Sequence, residues 1–164
     1  MIFLRLNRIY SPPFLLFDVF PLWYNFVIHT PDKEVPFMKL DIDCMRDVML
    51  LLEDIKYDTP IPVSCLTKNL ISYPEDVIQY TCLKLYQAGL IDGLICGNNP
   101  GIPYIKEIYD ITFTGHQFLA DIHSDTVWTS VKGIASSIGS KSVPAIMQIA
   151  SNVISSLIRD YWKL

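Results

Sequence analysis

Three segments of helical periodicity, two extended stretches about a turn-dense loop, and two further amphipathic segments follow one another along the chain. They predict a mainly α fold with a small β-hairpin, ordered as a winged helix-turn-helix domain followed by two C-terminal amphipathic helices. The expected division is an apolar, aromatic-rich extension at 1–37, the winged domain at 38–123, and a helical segment for packing or dimerisation at 124–164.

A chain of 164 residues has room for one domain and an appendage. With 51% hydrophobic and 18% charged residues and a mean hydropathy of +0.30, it has the composition of a folded protein. Thirteen basic residues against 17 acidic ones give a net charge of -4, which disfavours indiscriminate binding to nucleic acid or acidic lipid. Cys44, Cys65, Cys82 and Cys96 form no C-x-x-C pair and have no histidine at zinc-ligand spacing. No metal and no cofactor are therefore expected, and the thiols read as small buried hydrophobes in a reducing, cytoplasmic setting.

Residues 1–37 hold nine of the 20 aromatics, and their charges cancel. Their most apolar run, Phe14 to Ile28, is broken by Asp18, Pro21 and Asn25, so it fits neither a membrane span nor a signal peptide. Met38 directly precedes a strong helix pattern and is expected to be the true start, with 1–37 an upstream extension. The rival reading is a hydrophobic arm that packs on the domain or touches a membrane.

The first helix is marked by Asp41 and Asp43 at capping positions, and by Ile42, Met45, Val48, Met49, Leu52 and Ile55 on one face. It is expected to end near Lys56. Asp58, Thr59, Pro60 and Pro62 read as a turn, and Val63 to Leu70 as a short second helix. Ser72-Tyr73-Pro74-Glu75 reads as a capping box opening a third helix, with Ile78, Cys82 and Leu85 inward and Ala88-Gly89 as its stop. Leu90 to Cys96 and Pro103 to Ile111 flank Gly97-Asn98-Asn99-Pro100-Gly101 as a hairpin. Thr112 or Thr114 caps a fourth helix. Asp125 to Ile138 and Val143 to Tyr161 are amphipathic, with Ser142 as the cap of the latter, which carries no charge between Lys141 and Arg159.

Four separated blocks occur in order: Met38 to Val48, Leu85 to Asp92, Ile111 to Leu119, and the helix of Val127-Trp128. Together they resemble the family called domain of unknown function 2513, short proteins of bacteria and their phages or prophages, over Met38 to Leu164. The resemblance implies a winged-helix-like fold and a phage-type setting, and brings no catalytic residue.

Two functions of different class follow as expectations. A dimeric, phage-type regulator would bind duplex DNA through the third helix and wing, with Lys68, Asn69, Gln79, Tyr80, Thr81, Lys84 and Lys106 as contacts. A protein-interaction module would use the stripe of Tyr80, Leu83 and Tyr86, with Ile146, Val153 and Leu157 pairing the last helix with a partner or a second copy. Glu75 and Asp76 at the start of the third helix weaken the first reading. No small-molecule substrate and no enzymatic activity are expected. His116 and His123, seven residues apart, and the pair Asp41/Asp43 are better read as structural, and Gly97 to Gly101 lacks the Lys-Ser/Thr of a phosphate loop.

Overall fold

In the computed structural model, which describes residues 39–98 and 102–162, helix α1 (Ile42–Glu53) begins at Asp41. The Asp41 carboxylate accepts from the backbone N–H groups of Asp43 and Cys44. Ile42, Cys44, Met45, Val48, Met49 and Leu52 are buried along one face, as their spacing predicts. The helix stops at Glu53 rather than near Lys56, because the chain then turns sharply, with Asp58 in the left-handed region at φ 62°. The expectations for residues 1–37 and for the hairpin tip lie outside the described residues.

The expected turn at Pro60 to Pro62 contains a short strand, β1 (Ile61–Pro62). Ile61 buries its side chain, and Pro62 is tolerated because a strand at a sheet edge needs partners on one side only. Helix α2 (Val63–Asn69) follows and buries Val63 and Leu66.

Helix α3 (Glu75–Gln87) opens without the expected capping box. Pro74 is the residue before the helix and Glu75 its first residue, so the box is out of register and no side chain caps the end. The Pro74 carbonyl accepts from Val77 and Ile78 instead, and Glu75 and Asp76 favour the helix dipole. Ile78, Thr81, Cys82 and Leu85 face inward.

Strands β2 (Ile91–Asn98) and β3 (Ile102–Ile111) make the hairpin, and β1 joins it to give an antiparallel sheet of order β1-β3-β2. Ile61 pairs with Ile108, and Ile91 with Ile111. Gly97 and Asn98 belong to the ladder rather than to the turn.

Thr112 caps α4 (Phe113–Ile122) through a hydrogen bond from the Gly115 N–H. Helix α5 (Asp125–Ile138) ends at Gly139, whose φ of 76° suits a residue without Cβ. Helix α6 (Val143–Tyr161) begins at Ser142, which accepts from the Ala145 N–H. The described residues thus form a mainly helical fold with a small three-stranded sheet in a winged-helix-like arrangement. One core runs from Met45, Met49 and Ile78 through Ile105 and Ile108 to Leu119, Ile122 and Ile146. Cys44 and Cys82 are buried as expected, whereas Cys65 is exposed and Cys96 partly so.

Candidate interaction surface

The α2–α3 unit carries most of the residues that sequence reasoning assigned to a partner. Of these, Tyr80, Leu83 and Lys84 fall four, seven and eight positions after Asp76 and are half-buried, and the exposed Gln87, which sequence reasoning did not assign, continues their row. Lys84 does not project from this row. Its Nζ donates to Gln87 Oε1 at 2.8 Å and lies 5.0 Å from the centroid of the Tyr80 ring. Leu83 and Tyr86 are half-buried and pack partly on the core, so the expected stripe is only partly available.

Two of the expected base readers face inward. Gln79 Nε2 donates to the Ile105 carbonyl at 2.9 Å, which binds α3 to β3, and its Oε1 is buried without a partner. Thr81 is fully buried near the Cys44 thiol, and its hydroxyl makes no hydrogen bond of ordinary geometry. Thr81 is corrected as a contact, since it reaches no ligand from inside the fold, and the half-buried Gln79 has its amide engaged at β3. Asn69 is exposed and donates to the Cys65 carbonyl at 2.8 Å, closing the end of α2. Lys68 is exposed in that last turn, and Lys106 on β3 lies 3.6 Å from Glu107.

The three C-terminal candidates divide along α6. Ile146 is fully buried in the chain's own core and is corrected as a partner residue. Val153 packs partly on that core, and Leu157 is 51% exposed.

Sequence reasoning missed a set of polar joints centred on α1. Arg46 donates from Nε to the Ile122 carbonyl at 2.9 Å, and from Nη2 to the His123 carbonyl at 2.6 Å and to Asp125 Oδ1 at 2.7 Å. Its guanidinium lies 5.8 Å from the Trp128 ring centroid. Asp43, expected beside Asp41 as a cap, accepts from Trp128 Nε1 and Lys132 Nζ, both at 2.9 Å. Burial raises the Asp43 pKa, but the Lys132 and Trp128 hydrogen bonds, together with the charges of Lys132 and Arg46, outweigh it and hold the carboxyl below its usual value. The partners are more than 70 residues apart in sequence, so no spacing rule reveals them.

A second joint lies between α3 and α4. Thr112 donates its N–H to the Leu90 carbonyl at 3.0 Å and its hydroxyl to the Gly89 carbonyl at 2.6 Å, while Gly115 lies against the same Leu90 oxygen. All four sequence blocks are thereby paired: the block of Asp43 and Arg46 with that of Trp128, and Leu85 to Asp92 with Ile111 to Leu119. These blocks hold the scaffold together.

The chemistry-bearing side chains are dispersed. His116 lines a cavity of 170 Å³ with Glu53, Lys56, Asp58 and Asp110, whereas His123 lies outside it, 3.7 Å from Glu53. Burial pushes the thiols of Cys44 and Cys82 up to about 11 and about 12, which keeps them protonated and weakly nucleophilic. Among the described residues no His/Cys/Asp/Glu group could hold a metal ion, and no helix is long and apolar enough to cross a membrane.

Residues 39–141 match the pattern of a family described as "Hypothetical protein (DUF2513)". An uncharacterized protein of Haemophilus influenzae is 30% identical over 122 residues, which cover 74% of this chain and 99% of that one. No solved structure matches the chain.

Proposed function

The chain belongs to the DUF2513 family, a membership that brings a scaffold and no activity, and we propose from its surfaces that it is a non-catalytic interaction module docking on protein through α3. The observation that carries this reading is the outward row of α3. It runs from Glu75 and Asp76 through the half-buried Tyr80 and Leu83 to the exposed Gln87, and its one cation, Lys84, is folded along the helix. Acid at the helix start repels phosphate where a DNA reader would welcome it, whereas a tyrosine beside apolar surface suits a protein interface. The partner that fits is a protein with an apolar centre and a basic rim.

A second reading, a DNA-binding regulator of phage type, is favoured by one observation. The order α1-β1-α2-α3-β2-β3 with a β1-β3-β2 sheet is that of winged helices, and Lys68 and Lys106 are exposed on it. This is an analogy of fold, and fold alone does not assign function.

Fluorescence anisotropy with mixed duplex fragments at about 50 and 200 mM salt separates the two. The protein reading expects no salt-sensitive binding. It also expects a photocrosslinker at position 80 to capture one discrete protein in cells, with capture lost in Leu83→Asp. Binding that weakens steeply with salt and disappears in Lys84→Ala would overturn it in favour of the regulator.

A further inference from the structure

We propose that the cavity between the end of α1 and the sheet is a socket for one arginine side chain of another protein. It has a volume of 170 Å³ and an apolar floor, since Leu52, Ile61, Ile108 and Ile111 line it and are buried. Such a floor suits the methylene stem of a long side chain. The volume is below the ~300–1,000 Å³ of pockets that enclose a whole small ligand. One side chain, with the rest of its owner outside, matches it.

The charges of the lining select the head group. Carboxylates line the cavity from three places in the fold: Glu53 at the end of α1, Asp58 in the turn that follows, and Asp110 near the end of β3. Lys56 is the one lysine or arginine set against them, so the lining is negative and complementary to a cation. The fold leaves these carboxylates available. Glu53 lies 3.7 Å from His123, beyond hydrogen-bond range. Asp110 commits Oδ1 to the Ile111 N–H at 2.8 Å and keeps its other oxygen. Asp58 has no ion-pair partner among the described residues.

Tyr57 and Tyr109 complete the match to a guanidinium. Both line the cavity and are exposed, and an aromatic ring beside a carboxylate attracts a cation that sheds its water easily. Arginine has that property, and its planar fork can donate to carboxylates on different sides, whereas the ammonium of lysine is a compact and strongly hydrated point charge. No described residue of α3 lines the cavity, so the socket does not depend on what that helix binds.

Titration of the full ¹⁵N-labelled chain with the capped peptide acetyl-Gly-Arg-Gly-amide, followed by amide chemical shifts, tests the proposal. Saturable shifts in the millimolar range are expected at residues 53–59 and 108–111. The same peptide with citrulline, which keeps the shape and lacks the charge, should bind about tenfold more weakly. Glu53→Gln with Asp58→Asn should weaken the arginine peptide about fivefold, and Asp110→Asn should weaken it independently. The spectrum of each variant reports its fold, and asparagine tolerates the left-handed backbone of residue 58. Lys56→Met should tighten binding about twofold, because it removes the one opposing charge. The proposal is overturned by the absence of saturable shifts up to about 20 mM peptide, by equal binding of the citrulline peptide, or by folded carboxylate variants that bind like the parent. Weaker binding in Lys56→Met would overturn it as well, since the cavity would then hold an anionic group.

Discussion

At the scale of single residues, Asp43 shows how a helix-start acid becomes a tertiary ligand. Its folded pKa is depressed, so its charge stabilises the fold above the unfolded value near pH 4, and that contribution is lost as pH falls through the folded value. The gap in melting temperature between the parent and Asp43→Asn should therefore be largest at neutral pH and close below about pH 4. Gly115 makes a different demand. A methyl group there collides with the Leu90 carbonyl oxygen and crowds the Ile111 side chain. Gly115→Ala should therefore cost roughly 1–3 kcal/mol in urea unfolding, although alanine is the better helix former. Gln79→Ala removes the donor to the Ile105 carbonyl and should cost about 1 kcal/mol, which a solvent-facing DNA reader would not.

At the scale of elements, Leu85→Ala or Ile78→Ala leaves a cavity under α3 and should destabilise by roughly 2–5 kcal/mol, while unchanged unfolding in both would remove α3 from the core. The helices were legible because their apolar residues recur every three or four positions, and Asp41, Thr112, Ser142 and Gly139 mark ends by local chemistry alone. Strand β1 was not legible, since two residues ending in proline carry no alternation and take their pairing from β3, more than 40 positions later. The capping box failed where Pro74, fixed in an extended conformation, postponed the helix past Ser72. The α3 surface was half legible. Ile78, Cys82 and Leu85 define the inward line, but periodicity does not say which flank the sheet and α1 will cover, and they cover Gln79 and Thr81. The dispersal of Arg46, Asp43 and their partners over the chain hid the joints for the same reason: only folding brings them together.

At the scale of the whole molecule, Arg46 connects the first helix to the C-terminal pair by closing the last carbonyls of α4 and holding Asp125 at the start of α5. The Asp125 carboxylate is largely in water and adds little, so most of the effect lies with the two carbonyls. Arg46→Ala should cost roughly 1.5–3 kcal/mol in urea unfolding. Arg46→Lys should recover little of it, because an ammonium does not offer the fork that reaches both carbonyls and Asp125 at once. The clamp also governs how the molecule comes apart. A helical tail attached only by its loop would breathe separately, and its amides would exchange with deuterium long before those of the core. With Arg46, Asp43, Trp128 and Lys132 bridging first helix to tail, the amides at the α4–α5 elbow can open only when α1 opens, so tail and winged domain should exchange as one cooperative unit.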